Sequence, residues 1–287
     1  MAHRPLPRGA VERPVLRFGR GAPAAELDAV AEEEPLEIRV DGEAVAVTMR
    51  TPGHDADLAL GFLFAEGMIA AAADVGSAAH CGRPGEEGYG NVVDVRSAAG
   101  HPIVVERVLE SRRWAVTSSA CGVCGRQSVD GLLARCGVVS RPLELAPERI
   151  SAALATLAAS QPVFARTGGL HGAAVLDEAG GLLVAREDVG RHNAVDKAIG
   201  WLLRERRLGA ADDGAPALLA VSGRSSFELV QKAAAAGIPA LAGVSAPSSL
   251  AVDLAERAGI TLVGFVRGGA FNVYAHPERI SGARSAG

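Results

Sequence analysis

A chain of 287 residues with 48% apolar and 22% charged residues has the composition of a globular protein, with length for one large domain or two smaller ones. The net charge of −4 gives no overall basic field, which argues against duplex nucleic acid as a partner. No apolar run reaches the roughly 18 to 20 residues that a membrane helix needs, and the N-terminus lacks the apolar segment of a secretory signal. We therefore expect a cytoplasmic protein with reduced thiols and no membrane partner.

The first third of the chain predicts an arm followed by a small α+β domain. Residues 1–34 begin with a basic, proline-rich stretch, and we expect them to form a partly mobile N-terminal arm. The next segments alternate with period two around Asp41-Gly42, which predicts a β-hairpin. Apolar residues at helical spacing predict a helix over 54–69, and a valine-rich strand follows it. We assign the small α+β domain to residues 35–112.

The remainder of the chain, residues 113–287, alternates between strands and helices after an initial loop. Strands separated by helices of about 10 to 15 residues are typical of βαβ units, so we predict an α/β domain with a mostly parallel sheet covered by helices. The predicted helices span 127–136, 147–159, 191–207, 226–236 and 248–258, and the predicted strands span 173–177, 182–186, 217–221, 239–244, 261–266 and 271–274.

Three of the predicted strand ends carry small, polar or glycine residues, and ligands of open α/β sheets bind outside such ends. The first two open helices, whose free backbone N–H groups and dipole favour an anion. Arg224 and Arg267 add forked donors suited to phosphate oxygens. Serines such as Ser222 also serve simply as helix caps at such positions. Together the three ends favour an anionic ligand, of which a nucleotide is one option, and they lie at 222–226, 245–249 and 267–269.

Two further segments, at 167–172 and 187–193, are dense in polar side chains. They contain His171 and His192, and a lone histidine is more often a structural group than a catalyst. The charged and amide neighbours of the second segment leave pocket lining and acid–base catalysis open as well. These neighbours are Glu187, Asp188, Arg191 and Asn193, with Lys197 following them.

Four cysteines in a reducing compartment do not form a disulfide framework, and the spacing of Cys121 and Cys124 admits three interpretations. The first is half of a zinc ribbon, but the second cysteine pair is missing, and Cys136 would need a distant fourth ligand. A thioredoxin-type redox pair is not favoured, because no clear strand precedes the loop. The third interpretation is a thiolate that carries sulfur as a persulfide, favoured by Arg126. We expect Cys136 and Cys81 to be small buried apolar groups.

The sequence resembles the FdhD family, the sulfurtransferase accessory proteins of formate dehydrogenase, from about Arg50 to Tyr274. One matching segment is weak support, whereas six in the same order are specific. The segments are RTPGHDADLALGFLFAEG (50–67), SSACGVCG (118–125), FARTGGLHGAA (164–174), AREDVGRHNAVDKAIG (185–200), VSGRSSFELVQKA (221–233) and GFVRGGAFNVY (264–274).

This resemblance implies that the protein takes sulfur from a cysteine desulfurase as a cysteine persulfide and delivers it to the molybdenum cofactor in its bis(guanine dinucleotide) form. The sulfurated cofactor then activates formate dehydrogenase. Cys121 would hold the persulfide and Cys124 would assist its transfer or release. The resemblance also implies a main domain similar to cytidine deaminases. The residues expected to bind the cofactor are Phe265, Val266, Arg267, Gly268, Gly269 and Ala270, to which the strand-end argument adds Ser222 and Arg224.

Two rival functions follow from the same features. A zinc-dependent deaminase needs H-x-E followed by P-C-x-x-C, but His171-Gly172-Ala173 lacks the acid and the cysteine pair comes before it. We therefore expect no structural metal. A non-catalytic chaperone that binds the molybdenum cofactor stays open as the alternative. We also expect a guanine nucleotide to bind as a partial mimic of the cofactor, and the apolar hairpin and helix faces permit a homodimer.

Overall fold

The computed structural model describes residues 5–19, 21, 23–82, 89–104, 137–209 and 214–283. Within these residues the chain forms three β-sheets flanked by helices, a mixed α/β fold. The predicted loop with Cys121 and Cys124 and the predicted helix at 127–136 lie outside the described residues.

The N-terminal segment, for which the sequence predicts a partly mobile arm, contains a β-hairpin that the sequence analysis did not identify. Strands β1 (Ala10–Arg17) and β2 (Ala24–Ala31) pair in antiparallel register and form a sheet of their own. Arg17 bridges the strands by binding Glu26, with 2.8 Å between Nε and Oε2. Pro14 lies within β1, and a proline in the sequence favours a loop over a strand. Because β1 is an edge strand of a two-stranded sheet, it tolerates proline.

The second sheet has four strands in the order β4-β3-β6-β5. The predicted hairpin is confirmed: Asp41 and Gly42 both have positive φ, as a two-residue turn requires. Helix α1 packs its apolar side chains on this sheet, and Leu36, Ile38 and Leu58 lie in the shared core. The elements are β3 (Glu34–Val40), β4 (Glu43–Arg50), α1 (Asp55–Ala65), a short 3₁₀ turn (Ala72–Asp74), β5 (Val75–His80) and β6 (Val92–Ser97).

The third sheet has six strands in the order β12-β11-β10-β9-β7-β8, and the sequence predicts most of its elements. Its strands are β7 (His171–Asp177), β8 (Leu182–Asp188), β9 (Pro216–Val221), β10 (Ala240–Gly243), β11 (Thr261–Arg267) and β12 (Ala270–Ala275). The helices of this part are α2 (Pro147–Ala159), α3 (Pro162–Thr167), α4 (Arg191–Arg204), α5 (Phe227–Ala235) and α6 (Ser249–Ala258), with a 3₁₀ turn at Pro277–Arg279.

This sheet is mixed, so the prediction of a mostly parallel sheet is wrong. Strands β9, β10 and β11 run parallel because helices connect them, whereas β7 pairs antiparallel with both β8 and β9, and β12 pairs antiparallel with β11. Short turns join β7 to β8 and β11 to β12, and such turns reverse the chain. The prediction of a covered sheet is confirmed, since one face packs against α4, α5 and α6 and the other against α2.

The second and third sheets are joined by a close crossing of α1 and α4. A Cβ atom at Gly61 would overlap the backbone carbonyl of Asp196, and one at Gly200 would overlap that of Asp57. Only glycine lets the two helix backbones approach this closely. The helix of the small α+β part is therefore fixed against the helix that follows β8.

Candidate functional site

The strand directions bring the predicted ligand-binding loops to one edge of the six-stranded sheet. Strands β8, β9, β10 and β11 all end there, and β7 and β12 begin there. We call this the carboxyl edge, and it consists of the start of β7 with the loops at 188–191, 222–226, 244–248 and 267–269. This is the place at which open α/β sheets bind ligands.

The loops after β9 and β10 are bound to each other through their backbones. The Ser225 N–H donates to Ala246 O at 3.2 Å, and the Ser248 N–H donates to Ser225 O at 3.0 Å. Ser248 caps α6, because its Oγ accepts from the Ala251 N–H. Ser222 also has a structural role, since its Oγ accepts from the Gly172 N–H at 2.7 Å. These contacts give the carboxyl edge a fixed backbone.

The predicted cofactor-binding stretch, 265–270, covers the end of β11, the turn after it and the first residue of β12. The Phe265 N–H donates to Ser245 O at 3.3 Å, which connects this turn to the loop after β10. Phe265 has φ of 56° and its ring is exposed, an unusual backbone conformation for a bulky residue. Val266 is buried, whereas Arg267, Gly268, Gly269 and Ala270 are exposed at the edge. The structure therefore brings this stretch to the same edge as Ser222 and Arg224, with β10 between them.

The start of β7 places His171 against the loop after β9, since a Cβ atom at Gly223 would be 3.4 Å from His171 Nδ1. His171 is half-buried, Arg191 is partly buried and Arg224 is exposed. Burial lowers the pKa of His171 below its ordinary value of 6.5, the charges of Arg191 and Arg224 lower it further, and Asp188 raises it. The imidazole is therefore largely neutral at pH 7.

Asp188 has a structural role that the sequence did not predict. It is fully buried, and its carboxylate accepts from the Thr51 N–H at 3.2 Å, the Gly190 N–H at 2.8 Å and Asn193 Nδ2 at 3.1 Å. Lys197 Nζ lies 2.7 Å from it and also donates to Thr51 O at 2.8 Å. This buried cluster holds the loop after β8 against the end of β4.

One signal in the sequence identifies this cluster. The chain has 29 basic residues, of which only Lys197 and Lys232 are lysines. Both lysines are almost completely buried, and each is paired with a buried aspartate, Lys197 with Asp188 and Lys232 with Asp196. Because every other residue of this basic set is an arginine, the two lysines identify the positions of the buried ion pairs.

Two other polar side chains of the edge, those of Glu187 and His192, make structural contacts. Glu187 caps α3, because its carboxylate accepts from the Val163 and Phe164 N–H groups at 3.0 and 2.8 Å. His192 Nε2 lies 3.2 Å from both Ser226 Oγ and Glu228 Oε2 at the adjoining ends of α4 and α5. His192 is buried, so these contacts fix the helix ends.

The structure does not place Cys121 and Cys124, which lie outside the described residues. Cys81 is half-buried with a free thiol. In the part of the chain that the structure covers, no group of three or more His, Cys, Asp or Glu side chains is arranged to hold a metal ion. Among these same residues, no helix is long and apolar enough to cross a membrane.

Comparisons with known proteins relate the chain to a single family. Residues 31–281 match the model of the FdhD/NarQ family. The chain is 63% identical over 277 residues to "Sulfur carrier protein FdhD" of Anaeromyxobacter dehalogenans (strain 2CP-1 / ATCC BAA-258), covering 96% of this chain and 95% of that protein. It is 50% identical over 271 residues to the protein of the same name from Nocardia farcinica, covering 92% and 93%.

A solved structure agrees with this relationship. The crystal structure of a proposed formate dehydrogenase accessory protein from Desulfotalea psychrophila superimposes with a TM-score of 0.73 at 27% sequence identity. The superposition covers 96% of this chain and 100% of that one. The arrangement of sheets and helices described above is therefore shared with that protein over nearly the whole length.

Proposed function

The chain belongs to the FdhD/NarQ family, and we propose that it is a sulfur carrier that supports a formate dehydrogenase. The observation that carries this proposal is the 63% identity, over 96% of the chain, to a protein named as a sulfur carrier. The crystallographic relative contributes the link to formate dehydrogenase. The transfer takes place in the cytoplasm, where thiols are kept reduced.

The sulfur-carrying group in this proposal is Cys121. Its thiolate attacks the outer sulfur of a persulfide on a cysteine desulfurase, which regenerates the donor's thiolate and leaves a persulfide on Cys121. Cys124 assists the later release by thiol exchange. Support comes from the spacing of the pair in the segment SSACGVCG (118–125).

The acceptor in this proposal is the molybdenum cofactor in its bis(guanine dinucleotide) form, bound as substrate at the carboxyl edge. The residues of the edge suit such a molecule. Arg267 is exposed beside Gly268 and Gly269, whose positive φ values form a turn with accessible backbone amides, a lining for a diphosphate. The exposed ring of Phe265 offers a face on which a base can stack. Its strained backbone is typical of positions that serve ligands.

The sulfur-carrying role is tested by mass measurement of the intact protein after incubation with a cysteine desulfurase and cysteine. We expect the unaltered protein to gain mass in steps of one sulfur atom, and Cys121→Ala to lose that gain and the ability to activate formate dehydrogenase. Cys124→Ala should keep part of the activity. Cys81→Ala is the matched control and should behave as the unaltered protein.

The same variants distinguish the sulfur carrier from a second candidate, a non-catalytic chaperone for the molybdenum cofactor. The carboxyl edge favours this candidate as much as the first, because both need a cofactor site. Full activation of formate dehydrogenase by Cys121→Ala would refute the persulfide role and leave the chaperone.

The cofactor site is tested by calorimetry with GDP, which carries the guanine and the diphosphate. We expect GDP to bind more tightly than ADP and its affinity to fall with added salt, since contacts near a surface are screened. Arg267→Ala should weaken GDP binding by about 1.5 kcal/mol, roughly tenfold. Arg257→Ala is the control, because Arg257 lies at the C-terminal end of α6, away from the carboxyl edge. Equal affinity for GDP and ADP would contradict the assignment.

A further inference from the structure

We propose that the carboxyl edge contains a second oxyanion-binding subsite, formed by His171, Arg191 and Arg224, which takes a phosphate group of the bound substrate. This subsite is distinct from the turn that carries Arg267. The inference rests on the proposed function in one respect, namely that the substrate binds along this edge.

The first support is the convergence of two arginines and one histidine at this end of the sheet. His171 begins β7, Arg191 begins α4, and Arg224 lies in the loop after β9, so three separate elements contribute one group each. The Nε atom of Arg191 is buried and has no hydrogen-bond partner among the described residues. The N-terminus of α4 adds its own partial positive charge beside Arg191. A buried guanidinium N–H and clustered positive charge are both stabilised by a bound anion.

The second support is the position of the His171 imidazole, which lies against the loop that carries Arg224. A Cβ atom at Gly223 would be only 3.4 Å from His171 Nδ1, so the loop that carries Arg224 lies against the ring, and β8 places Asp188 opposite His171. The charges of Arg191 and Arg224 lower the pKa of His171, and that of Asp188 raises it. Asp188 is already engaged by Lys197, Thr51, Gly190 and Asn193, so its charge is largely balanced elsewhere. An anion between the arginines would offset their repulsion and permit His171 to become protonated.

The position of the subsite separates it from Arg267. It lies over β7 and β9, whereas Arg267 ends β11, and the strand order is β7-β9-β10-β11. Neighbouring strands are about 4.8 Å apart, so the distance along the edge is about 10 Å from β9 and about 14 Å from β7. A phosphate group in contact with His171 therefore does not also reach the backbone amides of the turn after β11. The two subsites therefore take different anionic groups of one extended substrate, such as a dinucleotide.

The neutral histidine gives the subsite a pH dependence whose direction is fixed. In the free protein the pKa of His171 is below its ordinary value, and a bound anion raises it. Binding is therefore accompanied by proton uptake at a pH between the two values, and affinity increases as the pH falls through that interval.

The test uses inorganic sulfate as the probe, because sulfate has the shape of phosphate but does not itself titrate near neutral pH. We expect the unaltered protein to bind sulfate about three- to tenfold more tightly at about pH 6 than at about pH 8. His171→Gln should abolish this pH dependence, and Arg224→Gln should weaken binding at both pH values by about tenfold. Arg257→Gln, at the far end of α6, is the control and should change neither.

Two further measurements keep the outcome decisive. Addition of sulfate to the unaltered protein should move the ¹⁵N resonances of one histidine toward the protonated form, and that histidine is identified by its absence in His171→Gln. Arg224 is exposed, so Arg224→Gln is not expected to disturb folding. A sulfate affinity that is unchanged in Arg224→Gln, or a histidine signal unaffected by sulfate, would overturn the subsite.

Failure of the subsite and failure of the proposed function give different results. Sulfur loading of Cys121 is measured by intact mass on the unaltered protein without sulfate, so its outcome does not depend on the subsite. If the unaltered protein loads no sulfur, the sulfur-carrier proposal fails while the sulfate result still decides on the subsite. If sulfur loading is normal but neither His171→Gln nor Arg224→Gln changes sulfate binding, only the subsite proposal is wrong.

Discussion

Replacement of Lys197 by methionine tests how the small α+β part is fixed to the carboxyl edge. Methionine keeps the length and most of the apolar stem of lysine but removes the ammonium group. In the structure that group lies 2.7 Å from Asp188 and donates to Thr51 O at 2.8 Å, and both side chains of the pair are almost fully buried. The substitution therefore leaves a buried carboxylate without its counter-charge.

The size of the effect follows from what remains around Asp188. Breaking a buried ion pair by removing one partner costs about 3 to 5 kcal/mol. Three donors stay in place, namely the Thr51 N–H, the Gly190 N–H and Asn193 Nδ2, and they continue to stabilise the carboxylate. We therefore expect the free energy of unfolding to fall by about 3 kcal/mol, near the lower end of that range.

Urea unfolding followed by circular dichroism measures this change, and a double-mutant cycle isolates the pair. Asp188→Asn alone should also destabilise, and the Lys197→Met/Asp188→Asn double variant should lose less than the sum of the two single losses. Additive losses, or a loss below about 1 kcal/mol in Lys197→Met, would refute the view that this ion pair stabilises the contact between β4 and the loop after β8.

Two other predictions concern the helix crossing and the second buried pair. Gly200→Ala should destabilise the protein by about 1 to 3 kcal/mol or more, because the added methyl overlaps the carbonyl of Asp57. Gly137→Ala, whose methyl would meet no atom of the described residues within 4 Å, should have little effect in the same unfolding assay. Burial raises the pKa of Asp196, beside Lys232, from 3.8 to about 6, so the unaltered protein loses stability from this group as the pH rises through about 6. The free energy of unfolding of the unaltered protein minus that of Asp196→Asn should therefore be larger at about pH 5 than at about pH 7.5, and equal differences at the two pH values would contradict it.

The sequence predicts the elements of this fold well where local chemistry decides them. Asp41-Gly42 between two alternating segments predicts a hairpin with a two-residue turn, and the structure has that hairpin. The helices at 226–236 and 248–258 are also predicted close to their observed positions, because serines precede a helical pattern in both cases. The short helix α3 was missed because, at six residues, it is too short for a period to appear.

Strand direction and long-range pairing are beyond local patterns. The alternation of strands and helices predicts parallel pairing, but β7 enters the sheet between β8 and β9 and runs antiparallel to both. Nothing in residues 171–177 specifies that position. Helix α4 connects β8 to β9, the two strands on either side of β7, and packs on the same sheet face. The β1–β2 hairpin was likewise unpredictable, since its pairing depends on cross-strand contacts such as Arg17 with Glu26.

The same limit explains why the candidate site was predicted only in part. Ser222, Arg224 and the stretch 265–270 were found because they follow predicted strands, and the structure places them at one edge. The sequence gives no indication that Ser222 Oγ accepts from the Gly172 N–H, or that His171, from an antiparallel strand, lies against the loop that carries Arg224. Because β7 runs opposite to its neighbours, its first residue meets the last residues of β8 and β9. The antiparallel insertion of β7, an error of the sequence prediction, is therefore what adds a histidine to the carboxyl edge.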